Sequence, residues 1–198
     1  MSEKERVIIA AAKDVIARYG FKRATMNDIA AAADMSRQTL YKVFSSKEDV
    51  LRGAIRHGCV DATAAIMEEW ADASSLGERL DSFFAHTVVH PYVFIHSHPD
   101  ADDMVSGFNE AGKEELAKSY ARYQAMLAEI FSAYRGSIEA AGLSVDQLAE
   151  VVTISSRSFK YNAEDKAHLD ALLASLKALV LTTTGEQLAA IRPLETAE

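Results

Sequence analysis

The 198-residue sequence has one cysteine, three prolines and one tryptophan. Cys59 has no second cysteine to pair with, so no intrachain disulfide can form and nothing implies an oxidising compartment; a lone Cys in an apolar helix is a small buried hydrophobe. No apolar run approaches the length of a membrane span. The first twenty residues carry acids before and within their apolar stretch, unlike a secretory leader, and a cytoplasmic protein is expected. No nucleophile elbow, phosphate loop or HExxH pattern is present, so no catalytic residue, resident cofactor or enzyme activity is expected. Strand-type alternation, internal repeats and low-complexity segments are also missing, which leaves an all-α chain of about nine helices.

Charge is unevenly spread. The whole chain carries −8, yet residues 1–52 hold ten Lys/Arg against seven Asp/Glu, a net +3, and the remainder is acidic. A basic region on an acidic protein favours approach to a polyanion by one end.

Within that basic region three helix starts fall close together. Thr25 with Asp28, Ser36 with the Met35/Leu40 staple, and Ser46 with Asp49 each match a helix N-terminus. Asp34 and Met35 form the elbow between the first two. Two short helices joined by a tight turn are the pattern of a helix-turn-helix, whose second helix enters a major groove about 12 Å wide. On that second helix, Leu40 and Phe44 are four apart and face inward. Arg37 and Gln38 suit guanine or adenine edges, and Thr39 suits a base or a thymine methyl. Tyr41, Lys42 and Lys47 suit phosphates. Thr25 and Ser36, at the two helix starts, complete the candidate DNA-binding set.

The same residues carry a family resemblance. Tyr19-Gly20-Phe21, then Thr25, Ile29 and Ala30, then Ser36, Thr39, Leu40, Tyr41 and Phe44, then Ser46-Lys47-Glu48 and Leu51 together resemble the TetR family of bacterial transcription regulators. The match covers about residues 4–52. It departs at Lys42, where many members have an aromatic, and at Val43, where many have His. The resemblance implies an N-terminal helix-turn-helix domain (1–52), followed by a helical effector-binding and dimerisation domain (53–198). It also implies a homodimeric, ligand-responsive regulator of double-stranded DNA, most simply a repressor released from a palindromic operator by a small apolar or aromatic molecule.

Further helices are expected over 3–19, 46–70, 76–94 with a kink or stop at Pro91, 116–138 running to Gly142, 144–159 and 163–184, with a short helix ending at Gly112. The last is apolar on two sides, so the helices 144–159 and 163–184 are expected to form a dimer bundle, with Leu173 and Leu176 taken as positions whose change would break it. The resemblance places a small-molecule pocket among the middle helices, for which Trp70, Phe83, His86, His90, Tyr92, Phe108 and Tyr123 are the candidates. Aromatics at helical spacing are also what a plain core looks like. A metal-responsive alternative rests on His86, His90, His96 and His98, with Asp100, Asp102 and Asp103 following; no metal site is assigned from it.

Overall fold

A computed structural model describes residues 2–97 and 112–186. The described residues are helical throughout, with no strand among them. Helix α1 (Glu3–Tyr19) starts at a capping box: the Glu5 N–H donates to Ser2 Oγ at 3.2 Å, and the Ser2 N–H donates to Glu5 Oε2 at 2.7 Å. It stops at Gly20, whose φ of 77° lies where L side chains are disfavoured. Helix α2 (Met26–Ala32) opens on the Thr25/Asp28 capping box, and α3 (Arg37–Tyr41) on Ser36, whose Oγ accepts from the Thr39 N–H.

Between α2 and α3 the chain makes a Schellman turn. The Asp34 N–H donates to Ala31 O at 3.2 Å and the Met35 N–H to Ala30 O at 2.9 Å, with Asp34 itself at φ 49°. A short polar side chain tolerates this left-handed conformation better than a bulky one would. Helix α4 (Lys47–Asp72) begins with Ser46 Oγ accepting from the Asp49 N–H at 3.1 Å; the Asp49 carboxylate reaches back one residue further, to the Ser45 N–H at 3.0 Å.

Helix α5 (Leu76–Phe84) widens into a π turn at Ala85–Val89, and α6 (His90–His96) carries Pro91 in its first turn, where a missing N–H costs nothing. Helix α7 (Lys113–Phe131) gives way to a 3₁₀ turn at Ser132–Tyr134 and then α8 (Arg135–Ala140), which closes on a second Schellman turn at Gly142, φ 85°. Helices α9 (Val145–Asn162) and α10 (Lys166–Thr184) follow. The spans expected for 76–94 and 116–138 as single helices are interrupted by the π turn at Ala85–Val89 and the 3₁₀ turn at Ser132–Tyr134, each one turn long and too short to erase the apolar pattern on either side. The helix expected before Gly112 lies outside the described residues.

The chain divides into two compact units, residues 1–65 with 89–122 and residues 66–88 with 123–198. In the first, Ile8, Ile29, Leu40 and Val50 are fully buried in one cluster with Ile9, Phe21, Phe44, Leu51 and Ile55. Phe94 of α6 and Leu116 of α7 pack on that cluster, and the Arg56 guanidinium lies 3.4 Å from Glu115 Oε2. Lys118, then Arg56, holds the Glu115 carboxyl below the usual glutamate range. Gly53 sits so close to Phe44 that an added Cβ would lie 2.8 Å from its ring, so this glycine is a packing requirement of α4. Gly58 has open space around its Cα instead.

In the second unit α9 packs on α8 and α10, and α10 also packs on α5 and α8. Leu80, Phe83, Leu127, Phe131, Ile138, Ala149, Val152 and Leu169 are buried there. The Lys177 ammonium reaches Asp81 Oδ2 at 2.5 Å, joining α10 to α5. Lys160 is buried with its ammonium 4.9 Å from the centre of the Tyr161 ring, and burial, reinforced by Arg157, lowers its pKa to about 8. Leu173 and Leu176, each 6% exposed, face this interior within the protomer. What α10 leaves outside is Ala171, Ala174, Ser175 and Leu179, with Val151 and Ile154 outside on α9.

Candidate nucleic-acid interface and effector region

Helix α3 is held from beneath by Leu40, fully buried, and Phe44, 7% exposed. With those two pointing in, the remaining side chains of the helix point out: Ser36, Arg37, Gln38, Tyr41 and Lys42 are exposed and Thr39 is half-buried. Two forked or amide side chains at the N-terminal end and an aromatic hydroxyl with an ammonium one turn later make a face able to reach base edges and phosphates. The Thr39 hydroxyl is 2.9 Å from Ser36 Oγ, so both hydroxyls are partly committed to the cap.

Two of the sequence-derived residues have intramolecular uses that spacing did not reveal. The Lys47 ammonium donates to Phe21 O at 2.7 Å and Lys22 O at 3.3 Å, and sits 4.5 Å from the centre of the Phe21 ring. It ties the loop after α1 to the start of α4, which leaves one of its three N–H groups for a phosphate. The Thr25 hydroxyl donates to Asp28 Oδ2 at 2.6 Å and accepts from the Asp28 N–H at 3.2 Å. The hydroxyl bond, together with the Thr25 N–H donating to Asp28 Oδ2 at 3.0 Å, holds the Asp28 carboxyl below the usual aspartate range. Any DNA contact from Thr25 therefore competes with the cap of α2.

The effector candidates divide between the units. In the unit containing α5, Phe83 meets Phe84 and Tyr123 edge-on, with centroids 5.9 and 6.0 Å apart. In the same unit the Trp70 indole N–H donates to Arg79 O at 2.8 Å, and His86 Nε2 is 2.8 Å from Glu69 Oε1. Trp70, Phe83 and Tyr123 are all buried. In the other unit, Tyr92 is buried and stacks on His96 at 4.0 Å, while His90 is exposed. Phe108 lies outside the described residues. A recess of about 350 Å³ opens in the head between α1 and α2, lined by Asp14, Val15, Arg18, Tyr19, Asp28, Ala31 and Ala32; none of the effector candidates touches it.

For the metal alternative, His86 is engaged by Glu69, and His96 Nδ1 lies 2.9 Å from Tyr92 O. His98, Asp100, Asp102 and Asp103 lie outside the described residues. Among the described residues no group of three His, Cys, Asp or Glu side chains comes together as a metal site. No helix among them is long and apolar enough to cross a membrane.

Residues 8–54 match the family described as "Bacterial regulatory proteins, tetR family". Over 84 residues the chain is 33% identical to an uncharacterized HTH-type transcriptional regulator, YfiR, of Bacillus subtilis (strain 168), covering 39% of this chain and 41% of that relative's length. The fold extends beyond the head. A putative TetR-family transcriptional regulator from Rhodococcus sp. superposes with a TM-score of 0.68 over 93% of this chain and 100% of the other, at 19% identity. The regulator FadR from Bacillus subtilis, solved in complex with stearoyl-CoA, gives a TM-score of 0.61 over 90% of this chain and 98% of the other, at 20% identity. Residues 8–54 thus carry the head of the tetR family of bacterial regulatory proteins, and the all-α fold of the described residues is similar to that of a solved TetR-family regulator.

Proposed function

We propose that the protein is a sequence-specific DNA-binding transcription regulator, a repressor released from its operator by a small apolar or aromatic effector. Residues 1–52 act as the reading head, and residues 53–198 as the effector-binding and dimerisation part. The observation that carries the DNA-binding reading is α3: a helix pinned by buried Leu40 and Phe44 that turns Arg37, Gln38, Tyr41 and Lys42 outward. The net +3 of the head against the acidic remainder supports approach by that end.

A single recognition helix reads one half-site, so two are held about one DNA turn, roughly 34 Å, apart by a two-fold dimer. Val151 and Ile154 on α9 and Leu179 on α10, each at least half exposed, supply the apolar surface for it. An apolar effector is supported by the buried aromatic side chains Phe83, Tyr123 and Trp70 and by the acyl ligand named for the structurally similar FadR. Release requires the effector to favour one conformation over the other; a coupling of about 1–3 kcal/mol changes DNA affinity roughly 5- to 150-fold. Selection from random duplexes should enrich a palindrome. Recovery of no enriched sequence at moderate salt would remove the reading.

A further inference from the structure

Two buried polar atoms among the described residues have no hydrogen-bond partner, and they lie on one helix: Arg79 Nε and Ser82 Oγ of α5. Spaced three apart, the two side chains lie on the same face of the helix. Leu76, Leu80, Phe83 and Phe84 of the same helix are buried, and Arg79 as a whole is half-buried. Ser82 is 9% exposed, and the Arg79 backbone is fixed where its carbonyl accepts from Trp70. The helix then opens into the π turn at Ala85–Val89, a distortion that recurs at ligand sites. Orphaned donors in an interior are costly, and a fold keeps them where something else satisfies them.

We propose that Arg79 and Ser82 receive the carboxylate head of an amphipathic effector whose apolar tail lies against the aromatic side chains of the same unit; this rests on the effector reading above. A guanidinium offers a planar fork of N–H donors that matches a carboxylate, and the serine hydroxyl supplies a third donor. A neutral head group would satisfy the hydrogen bonds and leave the charge uncompensated. Arg79 makes no ion pair with a carboxylate of the described residues that would already fill this role. Its charge is felt close by: the Tyr134 phenol, whose pKa is raised first by its 2.5 Å hydrogen bond to Glu186, is pulled the other way by Arg79. The Tyr134 hydroxyl is already committed to Glu186, which leaves Arg79 and Ser82 as the donors of the site.

The test uses the full chain, with octanoate and decanoate, the matched alcohols, and octyl phosphate as probes in calorimetry and thermal shift. The carboxylates should bind at least about tenfold more tightly than the alcohols. Arg79→Gln should abolish that difference, Arg79→Lys should restore part of it, and Ser82→Ala should weaken carboxylate binding several-fold with circular dichroism unchanged. Equal binding of carboxylate and alcohol, binding of neither, or unchanged carboxylate binding by Ser82→Ala and a folded Arg79→Gln would each overturn the proposal, as would a preference for octyl phosphate over octanoate. The same probes are then added to the operator complex. Carboxylate binding that needs Arg79 and leaves operator affinity unchanged sustains the site and removes the effector reading. Operator release by another compound, unaltered in both variants, sustains the regulator and removes the site.

Discussion

In the head, Ile8, Ile29, Leu40 and Val50 are fully buried; on α9 and α10, Val151, Ile154 and Leu179 are 51, 50 and 66% exposed. Both regions are built from amphipathic helices, so the difference is in how many apolar sides each helix has. Helices α1, α2 and α3 carry one apolar side each and close it on one another. Helix α10 buries Leu169, Leu173, Leu176 and Val180 and still has Leu179 left over. An apolar side chain left outside at this exposure is unremarkable singly, and it is the three together on two packed helices that motivate the dimer proposed above.

The most severe way to break the comparison is from the head's side. Leu40→Ala should cost about 2–5 kcal/mol, because it opens a cavity beneath α3, and DNA binding should fall with it; chemical denaturation read by circular dichroism measures the loss. An equilibrium denaturation midpoint unmoved by this change would mean the head is not a closed core. From the other side, Leu179→Glu together with Ile154→Glu should leave the protomer folded and weaken self-association by about 1–3 kcal/mol or more, seen as monomer in sedimentation at micromolar protein. A wild-type chain that is itself monomeric there would dispose of the dimer.

Gly53→Ala sharpens the contrast within α4. Its Cβ would press on Phe44, so a change that ordinarily favours a helix should here destabilise by about 1–3 kcal/mol, whereas Gly58→Ala, with open space, should stabilise by about 0.5–1 kcal/mol. Thermal melts of the two variants separate these signs. On the outer face of α3, Arg37→Ala or Gln38→Ala should relax preference at particular base pairs by about 1–3 kcal/mol. Lys42→Ala should weaken all sequences alike and reduce the salt slope by about one. Quantitative binding to a panel of altered sites distinguishes them.

The smallest effect expected is at the cap of α2. Thr25→Ala should cost about 1 kcal/mol, read by denaturation near neutral pH. Because Asp28 has its folded pKa lowered by Thr25, its contribution is present above the ordinary aspartate pKa and is lost as pH falls through the lowered folded value. The gap between wild type and Thr25→Ala should therefore narrow on acidification below about pH 4, and a gap constant down to pH 2 would show that the cap does not depend on the carboxylate.

The local signals were legible because helix starts and stops are short-range chemistry. Thr25 and Ser46 cap their helices as their spacing to Asp28 and Asp49 requires, Ser36 caps α3, and Gly20 and Gly142 end helices through positive φ, while the Ser2/Glu5 cap of α1 is seen only in the structure. The inward pair Leu40 and Phe44 follows from the same periodicity, and with it the outward set on α3. The effector candidates were less legible. Trp70, Phe83 and Tyr123 show the same spacing whether they line a pocket or fill a core, and Arg79 and Ser82 carry no sequence signal at all, since an orphaned donor is defined by what fails to surround it.

Sequence alone determined an all-α chain with a capped helix-turn-helix at its basic end, because hydrophobic period, caps and breakers act over a few residues. Only the tertiary structure decided which side of α10 is core, that Lys47 and Thr25 spend their hydrogen bonds inside the head, that Gly53 is required by Phe44, and which polar atoms are buried without a partner. Each of these depends on which residues distant in sequence come to lie within a few ångströms, and a one-dimensional pattern does not contain that information.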